Sequence, residues 1–504
     1  MYKLIIYFAL VLTPLISFSQ KEDNNWIFGV GQYDLPGNIY RLNHIQFTND
    51  TFKVKLLNRN FPFFTTCSII SDSSGNLLCY TNGLNLYNKN HSLLFNGNDF
   101  QSSSQFPYGY PFDRSVLILP LPDSPLTYIM IDGSHVDIGI DIITTELRYS
   151  LIDFSLQSGN GGVTLKKVII NNSTDTLNVG LLSSVRHSNG IDWWVLTTKF
   201  ESNHYRKFII TGKGIEFHDD QIIGDTVHNG LGTAVFSPSG CWYSRYLNYG
   251  KAANPDGALY LYRFDRTTGE LSAPIYKHFP QPEYFGGVAF SPNSRFLYVS
   301  KFLQILQYDL QASDILASET VVAEYDGFLD ENGVPTRFYG LQLAPDNKIY
   351  GNIPGFNTRY LHVIDQPNLP GAASNVIQHA IYLPAQNFGT LPNLPYFRLG
   401  PAEISCDSLI SATATTAPGQ SPVIRVWPVP AVDVLYFSAD VVWEEPLHLV
   451  LFDAYGRIVL ERRDLRLSPT ATVTLEELPS GPYFYGLLQR NGQIVKSGKI
   501  IRTR

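Results

Sequence analysis

The chain has 504 residues, 44% hydrophobic and 16% charged, with 39 Gly, 31 Pro and four Cys. That is apolar enough for large cores and excludes a disordered, collagen-like or disulfide-stapled chain. A net charge of −7 without a long Lys/Arg run leaves no electrostatic footprint for nucleic acid, and 30 Tyr and 31 Phe against two Met favour half-buried strands over long helices.

The first element is an export signal. Lys3 precedes an apolar run from Leu4 to Ile16, and Ser17-Phe18-Ser19 supplies a small-x-small exit. Such a run is too short to span a bilayer comfortably and reads as a secretory signal peptide over residues 1–19. No Cys stands at the exit for lipid attachment, and no later apolar run is long enough for a transmembrane helix. The expected route crosses the inner membrane into the periplasm.

Residues 20–404 carry a repeat in which an apolar strand, a turn of Ser, Pro, Asp, Asn and Gly, and an aromatic-rich strand recur. Asp72, Pro122, Ser188, Pro238, Pro292 and Pro345 anchor the turns, at intervals of 50, 66, 50, 54 and 53 residues. Pro fixes φ, Asp, Asn and Ser bond back to local backbone, and Gly accepts positive φ, so Ser237-Pro238-Ser239-Gly240 joins two short antiparallel strands. One repeat of this length fits one four-stranded propeller blade. The strand-like runs at Trp26–Gly29, Ile39–Leu42 and Phe52–Leu56 lack a leading strand, which Leu394–Leu399 is expected to supply. That gives seven blades and a closed ring without open edges.

Cys67 and Cys79 flank the turn at Asp72–Asn76. A cross-strand bridge and two ordinary buried strand positions both fit, because one residue of register separates them. No C-x-x-C pair or zinc spacing appears among the cysteines.

Residues 405–423 are small and polar, as a linker is. Residues 424–504 follow as a second unit of short strands that reads as a small β-sandwich of Ig-like type. Its opening, Val426-Trp427-Pro428-Val429-Pro430-Ala431-Val432-Asp433-Val434-Leu435, resembles the V-Y-P-N-P-A-x-D-x-L start of the C-terminal sorting domain of the type IX secretion system of Bacteroidota. Phe452-Asp453-Ala454-Tyr455-Gly456-Arg457 and Leu478-Pro479-Ser480-Gly481-Pro482-Tyr483 are similar to its D-x-x-G-R and L-x-x-G-x-Y elements. The resemblance implies a sorting motif of Pro428, Pro430, Asp433, Asp453, Gly456, Arg457, Gly481 and Tyr483. It further implies the secretion machinery and its sorting protease as partners, and release or attachment at the outer-membrane surface. Val429 and Pro482 depart from the pattern. Stretches 70–83, 147–153, 187–194, 342–350 and 391–397 resemble uncharacterised propeller passengers found upstream of such tails. In these bacteria D-[ST]-apolar triplets carry O-glycans; Asp175-Thr176-Leu177, Asp225-Thr226-Val227 and Asp407-Ser408-Leu409 match.

Chemistry is less legible. Asp132, Asp137 and Asp141 lie on one extended stretch and are the candidate metal ligands, for Ca²⁺, although the spacing is not that of a calcium loop. His187, beside Arg186 and near Trp193-Trp194, is a candidate imidazole on a channel wall. No nucleophile elbow, zinc-protease helix, phosphate loop or dinucleotide fingerprint is present, and no catalytic residue is assigned. Trp242, Tyr243, Tyr246 and Tyr249 suit either stacking on sugars and peptides or packing between blades. The expected function is a non-enzymatic surface or secreted binding protein for a glycan, peptide or protein. The alternative is a propeller hydrolase or lyase using a channel-bound metal.

Overall fold

The computed structural model describes residues 20–30, 40–48, 51–59, 61–102, 104–107, 109–139, 141–171, 175–250, 255–280, 284–355, 358–402, 406, 424–427, 431–439, 446–453, 457–466, 470–475, 478–489 and 494–503. The chain divides into two compact units, Met1–Ile410 and Ser411–Arg504. Residues 1–19, read as a signal peptide, and all of the 405–423 stretch except Cys406 lie outside the described residues.

Seven antiparallel sheets form the first unit, each running up and down in chain order. They are β1 (Asn25–Phe28), β2 (Tyr40–Thr48) and β3 (Thr51–Arg59); β4 (Ser68–Ser71), β5 (Leu77–Thr81) and β6 (Leu86–Asn88); β7 (Val116–Pro120), β8 (Thr127–Asp137), β9 (Ile142–Asp153) and β10 (Gly162–Ile169); and β11 (Ser183–Arg186), β12 (Trp193–Thr198), β13 (Ser202–Thr211) and β14 (Gly214–Val227). The ring continues with β15 (Leu231–Phe236), β16 (Trp242–Tyr249), β17 (Asp256–Phe264) and β18 (Leu271–Phe279); β19 (Gly286–Phe290), β20 (Phe296–Lys301), β21 (Gln304–Asp309) and β22 (Thr320–Glu324); and β23 (Leu341–Leu343), β24 (Ile349–Gly351), β25 (Thr358–Ile364) and β26 (Val376–Asn387). This is a seven-bladed β-propeller. In sheets two to seven the first strand is innermost, and the six turn anchors read from the sequence all fall between the first and second strands of those sheets.

Aromatic side chains fill the wedges between blades. Tyr205 stands 5.1 Å from Tyr262, edge to face, between the fourth and fifth sheets, and Trp242, Tyr243 and Tyr246 are buried. Each such burial is worth about 1.5–3 kcal/mol.

Ring closure departs from the sequence expectation. β1 starts beside the end of β4, where Ser71 N donates to Glu22 O, and so runs against the inner strands, while Leu394–Leu399, expected to lead the first blade, is not a strand. Pro395 lacks the N–H that a central ladder needs. Sheets one and seven instead join face to face. Asn43 Nδ2 donates to Ala385 O at 3.0 Å, its Oδ1 accepts from Ala385 N at 2.9 Å, and Trp26, Phe47 and Phe52 surround Tyr350 with centroids 5.7–6.0 Å away.

The second unit pairs β27 (Ile424–Trp427), β28 (Val434–Ala439) and β31 (Thr470–Thr474) in one sheet. β29 (Leu447–Phe452), β30 (Ile458–Leu465), β32 (Gly481–Leu488) and β33 (Ile494–Arg502) form the other. Leu435, Phe437, Leu449, Leu451, Leu487 and Ile500 are fully buried in its core. Among the described residues no helix is long and apolar enough to cross a membrane.

Candidate functional site

The axis of the propeller is where a site of this fold would form, and here residues 388–402 run through it. At entry the Phe388 ring stacks on Phe64 at 4.3 Å, Asn352 Nδ2 donates to Gly389 O at 2.5 Å, and Thr390 Oγ1 donates to Phe64 O. Midway, Asn393 Nδ2 donates to Val116 O at 3.0 Å and Leu182 O at 3.1 Å, its backbone N–H donates to Cys67 O at 2.8 Å, and its Oδ1 accepts from Arg114. At exit Phe397 is buried against Trp193, and Arg398 forks onto Asp23 with two bonds of 2.7 Å. Beyond that fork, Arg266 donates to Gly400 O, Ala402 N donates to Ser188 O at 2.8 Å, and Cys406 is disulfide-bonded to Cys241.

Entry lies among connections that lead into inner strands, and exit among turns that leave them, so the strap passes from one face to the other. Pro392 and Pro395, two of its three prolines, keep it extended without a ladder. Beside the strap, between β7, β11, β15, β19 and β23, a cavity of about 40 Å³ remains. At roughly 10–15 Å³ per water it holds about three or four waters, and no sugar.

Charged groups line both ends. Near entry, Asp113 is buried and accepts from Tyr339 OH at 2.5 Å. Burial raises its pKa to about 6, against bonds from Tyr339 and the charge of Arg114 that lower it. Arg114, buried beside it, is lowered to about 10 and donates to Gln342 Oε1 at 2.9 Å. Near exit, Glu22 is 6% exposed with Oε2 unpartnered; burial raises it to about 7, although Arg186 and Arg398 pull the other way. None of these residues was singled out in the sequence, because each sits just outside a strand, where no spacing marks it.

The three candidate metal ligands are not brought together. Asp132 is buried within β8 and pairs with Arg148, whose Nε donates at 3.1 Å. Asp137 stands five residues further along β8 and accepts from Gly139 N at 2.7 Å, and Asp141 accepts from Asn229 Nδ2 at 2.8 Å. Among the described residues no three His, Cys, Asp or Glu side chains group as a metal site. His187 lies in the β11–β12 turn; its Nδ1 accepts from Asn189 N and its Nε2 lies 3.2 Å from Thr267 O. Ser115 Oγ does lie 3.1 Å from His135 Nε2, but Thr144 Oγ1 rather than a carboxylate meets Nδ1, at 2.8 Å. Burial lowers His135 to about 3, so it takes up no proton at neutral pH.

Cys67 and Cys79 are buried free thiols; the disulfide uses the other two cysteines. Thr176 and Thr226 of the D-[ST]-apolar triplets are exposed, and Asp407–Leu409 lies outside the described residues.

The connections on the entry face carry partly exposed rings. Tyr284 packs 5.4 Å from Phe302, Phe285 5.1 Å from Tyr339 and Phe328 4.2 Å from His379, and Tyr249 stacks on His228 at 4.0 Å.

In the second unit, Asp453 accepts from Arg457 N at 2.9 Å and Arg457 Nε at 2.7 Å. Asp433 meets Arg502 Nη2 at 3.2 Å, and Tyr483 OH donates to Pro479 O at 2.6 Å. Gly481 holds φ +154, which L side chains rarely adopt. Pro428, Pro430 and Gly456 lie outside the described residues.

Solved structures with similarity include a protein from Lactobacillus plantarum, 11% identical, covering 74% of this chain and 99% of that one at a TM-score of 0.40. A protein of unknown function from Desulfotomaculum acetoxidans is 13% identical, covering 73% and 98% at 0.38. A candidate 6-phosphogluconolactonase from Bacteroides uniformis is 10% identical, covering 72% and 98% at 0.39. No curated protein matches the chain. The family model of the secretion system C-terminal sorting domain matches residues 425–502. Those residues are the sorting domain of the type IX secretion system, which directs the chain across the outer membrane to the surface or medium, and the propeller is its passenger.

Proposed function

We propose that the passenger is a non-enzymatic binding protein, retained on the surface or released, that recognises a glycan, peptide or protein on the entry face of its propeller. The observation that carries this reading is the strap. A channel-bound metal and its substrate need the axis, and residues 388–402 take it up, leaving about 40 Å³. The aromatic connections of the entry face remain, and partly exposed rings are the side chains that sugars and peptides stack on.

Thermal melts of the mature chain, residues 20–504, with a glycan and peptide panel, EDTA and Ca²⁺ test it, because a ligand that binds only the folded state raises its melting temperature. A panel member is expected to raise it while EDTA and Ca²⁺ leave it unchanged. A loss with EDTA that Ca²⁺ restores replaces this reading with the metal-dependent one.

A further inference from the structure

We propose that the entry face holds a subsite for an acidic sugar, a uronate, built on Arg337; this rests on the binding reading above and names its ligand class. The Arg337 guanidinium lies over the Phe302 ring at 4.6 Å and the Tyr325 ring at 5.9 Å. Its Nε is buried without a partner, and among the described residues the side chain donates no hydrogen bond and joins no ion pair.

A guanidinium carries five N–H donors in a fixed fork. The carboxylates of the same connection are committed elsewhere. Asp326 pairs with His379 at 2.9 Å, Glu331 lies 3.8 Å from Arg359, and Asp330 accepts the backbone N–H groups of Asn332 and Val334 at Oδ1 while its Oδ2 is buried without a partner. The fork thus lies over two rings at the edge of the mouth and, among the described residues, has no acceptor.

Its surroundings select the ligand. Tyr284, 38% exposed, packs against Phe302 at 5.4 Å, and Leu303 beside it is 51% exposed. The surface is a platform of ring faces with one cation. The nearby cavity, bounded by Asp113, Tyr339 and Asn352, is about 20 Å³, too small for a peptide side chain. A pyranose offers an apolar face to stack on aromatics, and a uronate adds the carboxylate that a guanidinium grips with two parallel bonds. An acidic peptide brings the carboxylate without the flat ring.

Isothermal titration of the mature chain with tetragalacturonate tests the subsite, with cellotetraose as the neutral control and a tetraglutamate peptide as the acidic one. Tetragalacturonate is expected to bind and to weaken as salt rises. Arg337→Gln should weaken it at least tenfold, Arg337→Lys should recover little of that, and Tyr284→Ala should weaken it several-fold, all with melting temperatures near the native value. Equal affinity of Arg337→Gln for tetragalacturonate overturns the subsite, as does preference for the peptide. Cellotetraose binding that ignores Arg337 overturns it while leaving the binding reading standing. No affinity for any glycan or peptide across the melting panel overturns both.

Discussion

Glu22 and three histidines give the propeller opposed pH dependences at the scale of single residues. Burial holds the Glu22 carboxyl at about 7 against 4.5 for the free group. Its favourable contribution is therefore complete below pH 4.5 and is lost as pH rises through 7. Asp113, raised by burial to about 6, acts in the same sense. His44 and His362, lowered by burial to about 4, and His135, lowered to about 3, act oppositely. Their contribution is complete above pH 6.5 and is lost as pH falls toward 4. Gln at position 22 keeps the shape and cannot ionise. The Glu22→Gln chain should melt with the native one at pH 4 and above it at pH 8, with the gap opening between pH 4.5 and 7.5. Parallel curves across that range would mean that Glu22 ionises in the folded state as it does in water. Residues of this kind were not readable from the sequence, since a buried carboxylate and a solvated one are written alike. Asp132 shows the same limit from the other side: its spacing to Asp137 and Asp141 suited a metal, and a strand partner, Arg148, already neutralises it.

The strap is the element whose role the sequence concealed in part. Position near residue 400 and apolar character both pointed to a closing strand, and Pro392 and Pro395 pointed against one. Two ladder donors are missing there, so the segment takes its hydrogen bonds singly, from Asn393, Gln342, Arg266 and Ser188, along the axis. Its end is fixed twice. Gly190, at φ +74, has no room for a Cβ, which would lie 2.6 Å from Pro401, and the Cys241–Cys406 bond spans 165 residues of sequence. Closing a loop of that length restricts the unfolded chain strongly, by about 5 kcal/mol from chain entropy alone, of which disulfides typically deliver about 2–4 kcal/mol. The variant with Cys241→Ser and Cys406→Ser together should therefore melt several degrees lower, and dithiothreitol should bring the native chain down to it while leaving the variant unmoved. Dithiothreitol lowering the variant as well would point away from this bond, because Cys67 and Cys79 are free thiols with nothing to reduce.

Blade number and the division into passenger and tail were legible because each repeats a local rule that tertiary contacts reinforce. Ser237-Pro238-Ser239-Gly240 turns between the first two strands of the fifth blade whatever surrounds it, and Ser291-Pro292-Asn293-Ser294 does the same in the sixth. The 66-residue interval between Pro122 and Ser188 reflects the long strands β8 and β9 rather than an extra blade. Ligand identity had no such rule, since it depends on which connections converge at one mouth. The tail can be tested apart from that question. Its Asp453–Arg457 and Asp433–Arg502 contacts are internal to the second unit, and the strap and disulfide complete the propeller before residue 411. Removing residues 424–504 should thus leave a folded passenger that crosses the inner membrane and stops in the periplasm. Fractionation with a propeller antibody reads the compartment, and the melting temperature of the purified fragment reads the fold. Unchanged appearance at the surface or in the medium would remove the sorting role from residues 425–502, whereas loss of the protein altogether would place part of the propeller's stability in its tail.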